Sequence, residues 1–201
     1  MQNRWRHTRG DASFFSILLG LRDRALLETL YSTGLRRTEC ARLSLQDVEP
    51  VRGVVFVRQG KGRKDRVVPI GQRALDWIER YCTVARPTLV RRPESHLLFL
   101  TARGRPLAPT KLSKQIRRYL ARSSLGKSGS CHVFRHTMAT LLLDGGADVR
   151  YVQAILGHAS LAMTARNTHV AMTELKAVHA RTHPAERDHV PPPRLDPICQ
   201  K

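Results

Sequence analysis

In HVFRH, residues 132–136, His132 and Arg135 lie three apart, so on a helix both project from one face. His132 and His136 lie four apart, which imitates a zinc-binding pair, but the metalloprotease form needs a Glu beside the first His. Val133 stands there instead, and Arg135 puts a fixed positive charge on the would-be metal face. A His and an Arg converging on one anion fits better. His136 reads as a hydrogen-bonded, partly buried structural histidine. In TGLRRTE, residues 33–39, Arg36 and Arg37 stand just ahead of a helix start, where free N–H groups and the helix dipole attract anions. Glu39, three residues beyond Arg36, is placed to orient its guanidinium. GKGRKDR, residues 60–66, reads as a hairpin turn with Lys61, Arg63 and Lys64 at its tip. It is no phosphate-cradling P-loop, because the glycine spacing differs and no Ser or Thr follows the Lys. A Lys on such a turn can reach into a groove or give up a proton. Each segment also has a plain reading: a surface arginine, a solubilising turn, a solvated basic face.

A fourth segment, LGHASLAMTARNTHV, residues 156–170, carries His158 and His169 with Asn167 between them. Its glycine-punctuated, His-bearing pattern suits the aiming of side chains at a reactive group, yet nothing in it is a strong nucleophile.

The elements that must position these groups are mostly helical. Residues 1–20 open on a basic arm, MQNRWRHTRG. LRDRALLETLYSTG, residues 21–34, places Leu26, Leu27, Leu30 and Tyr31 on one apolar stripe and stops at Gly34. A short helix resumes with Thr38 as its expected N-cap. Two β-rich runs, Val54–Arg58 and Arg66–Ile70, flank the Gly/Lys turn as a hairpin. Residues 71–82 return to helix, and HLLFL, residues 96–100, reads as a short strand. Residues 108–123 form a helix with Pro109 in its first turn; its Lys111, Lys114, Arg117 and Arg118 make a basic face suited to a polyanion. Helices follow in HVFRHTMATLLLDGG, which ends at paired glycines, in ADVRYVQAILG with an Asp148 cap, in SLAMTAR with a Ser160 cap, and in MTELKAVHA. Residues 181–201, with PPP and scattered charges, suggest a flexible tail. The expected class is α+β, mostly α: a helical bundle with a small antiparallel β-sheet.

Composition bounds the partner. The 201 residues hold 35 Lys and Arg against 16 Asp and Glu, a net charge of +19. Excess charge of this size is self-repulsive, so a polyanion is its natural complement. From Ser95 to Leu143 there is no Asp or Glu, against nine Lys or Arg. That stretch also disfavours a metal-dependent nuclease, which needs clustered carboxylates. The longest apolar run, SFFSILLGL, falls short of the roughly 20 residues that span a bilayer, and it lacks the position and cleavage site of a signal peptide. Four cysteines, Cys40, Cys82, Cys131 and Cys199, are far apart without a CxxC pair, which argues for reduced, mostly buried thiols. The expectations are a cytoplasmic, nucleoid-associated bacterial protein that binds double-stranded DNA, touches no membrane, and takes no metal and no cofactor.

Taken in order, YSTGLRRTE, GKGRKDRVVPI, HVFRHTMATLLLDGG and VQAILGHASLAMTARNTHV resemble the motifs of the tyrosine recombinases, or phage-type integrases. The resemblance runs over residues 21–180 and is closest to bacterial, transposon- or integron-associated members. It implies a catalytic domain for DNA integration and site-specific recombination, carried on mobile elements among other hosts. Arg36 and Arg135 would grip the non-bridging oxygens of the scissile phosphate, a task for which the planar guanidinium fork is suited. One well-placed donor of this kind contributes about 3–4 kcal/mol to catalysis. Lys61 matches the general acid that protonates the departing 5′ oxygen. His132 matches the histidine that assists proton transfer, and His158 the position that hydrogen-bonds the phosphate.

Two departures from the family pattern bear on function. The family places a tyrosine nine residues beyond the LGH histidine, in the form YTHV; here that place is Asn167, in NTHV. An amide nitrogen, its lone pair delocalised, cannot form the covalent 3′-phosphoryl intermediate. The resemblance therefore implies a strand-breaking and rejoining enzyme whose nucleophile is missing, expected to bind without cleaving. A degenerate non-catalytic DNA-binding or regulatory paralogue is the alternative, and a topoisomerase-like role would also need the tyrosine. Secondly, the family's helical core-binding domain is expected to be absent, since only residues 1–20 precede the motifs. The C-terminal tail is expected either to dock on a neighbouring protomer in a homo-oligomer or to remain a free end.

Overall fold

A computed structural model describes residues 9–58, 65–91, 96–123, 129–157 and 168–184, with side chains described from residue 16 and, in the last helix, from residue 172. Its order is α1 (Arg9–Thr33), α2 (Arg37–Arg42), a 3-10 turn (Leu45–Asp47), β1 (Val48–Glu49), β2 (Val54–Val57), β3 (Arg66–Pro69), α3 (Gln72–Arg80), a π-helical segment (Tyr81–Ala85), α4 (Arg86–Leu89), α5 (Pro109–Arg122), α6 (Cys131–Asp144), α7 (Val149–Leu156) and α8 (Thr168–Thr182). The fold is α+β and mostly helical, as the sequence predicts.

Helix α1 is the central element. Leu18, Leu21, Ala25, Leu26 and Leu30 are all buried, at the three- and four-residue spacings that keep one face apolar. That face packs on α3, the π-helical segment and α6. Polar groups on α1 are satisfied where they are buried. The Arg22 guanidinium pairs with Asp23 at 2.6 Å and donates to the Leu100 carbonyl at 3.0 Å. The Tyr119 hydroxyl donates to the other Asp23 oxygen, which ties α5 to α1.

The sheet is antiparallel with order β1-β2-β3. Val55 pairs with Val68 and Val57 with Arg66, so the hairpin reading holds, while its tip, residues 59–64, lies outside the described residues. The two-residue β1 strand, pairing Val48 with Val55, is too short to leave an alternation in the sequence. Behind the sheet, α7 and α8 pack on β3.

Four local expectations need correction. Helix α1 begins at Arg9, well ahead of Leu21. The cap of α2 is Arg36, not Thr38, because the Glu39 carboxylate reaches back to accept from the Arg36 backbone N–H at 2.8 Å. HLLFL makes only isolated bridges, Ser44 with Leu97 and Leu100 with Pro106. His136 is exposed, not partly buried. The Asp148 cap of α7 is present, accepting from the Arg150 N–H at 2.8 Å. The Ser160 cap falls outside the described residues.

Candidate functional site

The site grows from the loop between α1 and α2, residues 34–36. Gly34 holds φ +59°, a left-handed conformation that costs non-glycine residues about 1–2 kcal/mol. A Cβ there would also overlap the Met138 methyl. The last carbonyls of α1 have no partner within the helix, and α8 and the residue that follows it supply two: ring nitrogens of His179, on α8, and of His183, just past its end, meet the Ser32 and Tyr31 carbonyls at 2.8 and 3.1 Å. The loop is thereby fixed from behind.

From the front, α6 fixes it again. Arg135 donates to the Gly34 carbonyl at 2.8 Å and to the Leu156 carbonyl at 2.5 Å. Leu156 is the last residue of α7, which ends on Gly157 at φ +67°. Two elements far apart in sequence are thus joined by one guanidinium.

Arg36 and Arg135 come together with a third arginine, which the sequence reads only as the start of a β-rich run. Arg66, the first residue of β3, forks Glu39 at 2.9 and 2.8 Å and donates to the Ile155 carbonyl at 3.2 Å. Arg36 shares Glu39 at 2.9 Å. An arginine at a strand start looks like any hairpin flank, so only its partners reveal it.

The electrostatics register this crowding. Burial pushes the Glu39 carboxyl up, but hydrogen bonds from Arg66 and Arg36 outweigh it and hold it at about 2. Burial, then the charges of Arg36 and Arg66, bring Arg135 down to about 10, with Glu39 opposing. Three guanidiniums against one carboxylate leave the pocket electropositive. An anion placed there would relieve that repulsion.

The other expected residues divide into two groups. His132 is exposed in the first turn of α6, one turn ahead of Arg135, and Arg37 is exposed on α2, close enough to Cys131 to bear on its thiol. Lys111, Lys114, Arg117 and Arg118 are all exposed on α5, which packs against α2 and α6 and so flanks the pocket. Lys61, Arg63, Lys64, His158 and Asn167 lie outside the described residues.

All four tyrosines are engaged elsewhere. Tyr81 is fully buried, accepts from the Leu100 N–H at 3.3 Å, and is pushed by burial up to about 12. Tyr119 is bound to Asp23, and Tyr31 packs edge-on against His183. The Tyr151 hydroxyl donates to the Glu174 carboxylate, which raises its pKa. Burial raises those of Tyr31 and Tyr119 as well. Each of these phenols therefore favours its protonated form. No described helix is long and apolar enough to cross a membrane.

Comparison with known proteins gives a consistent set of relatives. The model for the phage integrase family matches residues 15–174. Tyrosine recombinase XerC 2 of Ralstonia nicotianae is 52% identical over 166 residues, 83% of this chain and 48% of the relative. Tyrosine recombinase XerD of Pseudomonas aeruginosa is 44% identical over 83% of this chain and 55% of its own. The chain spans about half the length of these curated relatives. Among solved structures, the XerA recombinase superposes with a TM-score of 0.65 at 29% identity, covering 89% of this chain and 66% of the other. The XerH site-specific recombinase, bound to difH substrate in a pre-cleavage complex, gives 0.62 at 23% identity over 88% and 45%.

Proposed function

The chain belongs to the phage integrase family, and on that premise we propose that it grips duplex DNA at one phosphodiester without cutting it. The observation that carries this reading is the convergence of Arg36, Arg66 and Arg135 around the single carboxylate of Glu39. Arg36 and Arg135 engage the two non-bridging oxygens. His132 lies on the same helical face as Arg135, and Lys61 and His158 complete the set at the hairpin tip and after α7. Arg37 and the exposed row Lys111, Lys114, Arg117 and Arg118 hold the flanking backbone, since phosphate contacts position a protein on DNA. The named relatives support the ligand: they are recombinases, and one was solved on its difH substrate.

Cleavage fails for want of a nucleophile. Asn167 occupies the place of the family's tyrosine, and the four tyrosines present are occupied elsewhere with hydroxyls of raised pKa. The catalytic-type domain takes in α1 from Arg9, with its Leu18 buried, so residues 9–20 belong to it and not to a separate basic arm. It also takes in the buried Thr182 and His183, and only the residues beyond them act as a tail that docks on a second copy assembled on DNA. A mobile-element origin and residence on the nucleoid follow from the same reading.

The test is a nicked duplex incubated with the full chain. Expected is a retarded complex that dissolves in denaturing detergent, weakened about tenfold or more by Arg135→Ala, which removes a charge-assisted contact. A covalent adduct with the unaltered chain would overturn the reading, as would binding indifferent to that substitution.

A further inference from the structure

Arg66 lies within GKGRKDRVVPI, one of the stretches that carry the family resemblance, but the resemblance assigns it no role. In the pocket its side chain makes three hydrogen bonds, two to Glu39 and one to Ile155. We propose that Arg66 is a positioning residue: by saturating Glu39 and anchoring the end of α7, it leaves the Arg36 guanidinium free to face the phosphate. The inference rests on the phosphate-gripping reading above and extends it.

The argument is one of donors and acceptors. A carboxylate offers about four lone-pair sites. On Glu39, Oε1 accepts from Arg36 Nη1 at 2.9 Å and from Arg66 Nη1 at 2.9 Å. Oε2 accepts from the Arg36 backbone N–H at 2.8 Å and from Arg66 Nη2 at 2.8 Å. All four sites are filled, so Arg36 commits a single side-chain nitrogen to Glu39. The Glu39 side chain is 5% exposed, that of Arg66 14% and that of Arg36 24%. The supporting pair is sealed, and the residue it supports opens outward. Without Arg66, a buried carboxylate left half satisfied would draw a second bond from Arg36, the donor already beside it, and turn the fork away from the phosphate.

The third Arg66 bond reaches elsewhere. Its Nε donates to the Ile155 carbonyl at 3.2 Å, at the negative end of α7 and three residues before His158. Gly157 permits this close approach, because a Cβ there would stand 3.0 Å from Arg66 Cδ and Nε. One side chain thus links Arg36, the strand that follows the Lys61 turn, and the segment leading to His158. A lysine keeps the charge but lacks the fork.

The experiment titrates the full chain, carrying 15N-labelled arginine, with inorganic phosphate. Side-chain resonances of Arg36 and Arg135 are expected to shift, and those of Arg66 to stay. Arg66→Lys is expected to weaken phosphate binding about tenfold. It should have no further effect in a Glu39→Gln background, where the competing carboxylate is gone. Equal losses in both backgrounds, or a change below about twofold, would overturn the proposal. Should Arg66→Lys fail to fold, the unaltered chain decides: Arg66 resonances moving with those of Arg36 make it a direct ligand and defeat the inference. Should the unaltered chain take up no phosphate, the phosphate reading falls instead. The carboxyl carbon of Glu39 then still tests the inference, because its pKa must rise in Arg66→Lys if the fork saturates it and must not move otherwise.

Discussion

Arg135, on α6, donates to the carbonyl of Gly34 at 2.8 Å, although the two are 101 residues apart in sequence. The second arginine of the pocket is therefore held by the loop that presents the first. Gly34→Ala should disturb both. It forces a left-handed backbone onto a residue with a Cβ and pushes that Cβ into the buried Met138 side chain. The expected cost is about 2–4 kcal/mol, from backbone strain and overpacking together, with weaker DNA binding at temperatures where the variant is still folded. Urea denaturation and fluorescence anisotropy on a labelled duplex measure the two effects.

Stability should fall in mild acid, and His183, just past the end of α8, is the reason. His183 is buried, meets the Tyr31 carbonyl and stacks on His179 at 4.8 Å between ring centroids. Burial, then the charges of His179 and Arg73, lower its pKa to about 3, with the Tyr31 hydrogen bond opposing. A base whose folded pKa lies below its unfolded one is stabilising as the neutral ring. That contribution is complete above the unfolded pKa of about 6.5 and declines as pH falls from there towards about 3, with a slope of up to about 1.4 kcal/mol per unit. Urea midpoints compared at several pH values across that window should show the decline, and His183→Phe should flatten it. An equal slope in the variant would place the titrating group elsewhere.

DNA affinity should depend steeply on salt, given a net charge of +19. If about six phosphates are contacted, log K should fall against log salt with a slope near about −5. Lys114→Ala and Arg118→Ala, both exposed on α5, should each flatten that slope by about 1 without altering sequence preference. A slope near zero for the unaltered chain would dissociate its charge from its ligand.

The parts of the molecule legible in the sequence are those governed by local periodicity and local chemistry. HVFRHTMATLLLDGG reads as a helix ended by glycines and is one, because its pattern and its stop signal lie within a single element. The Arg36–Glu39 pair was legible for the same reason: three residues of spacing bring the two side chains together. Arg66 was not, because its meaning comes from Glu39 and Ile155, 27 and 89 residues away. Thr38 looks like a cap by residue type, but the glutamate after it captures the Arg36 backbone N–H and starts the helix earlier. His136 carries no apolar partner pattern of its own, and α6 simply turns it to the surface.

The most direct measurement of the proposed reading puts a tyrosine at position 167. Asn167→Tyr is incubated with a nicked duplex and run under denaturing conditions beside the unaltered chain. Formation of a covalent protein–DNA adduct by the variant, and by it alone, is the predicted result, with Arg36→Ala or Arg135→Ala in the same background abolishing it. A variant that binds the duplex as well as the unaltered chain yet forms no adduct would contradict an intact phosphate pocket and favour a solely regulatory role.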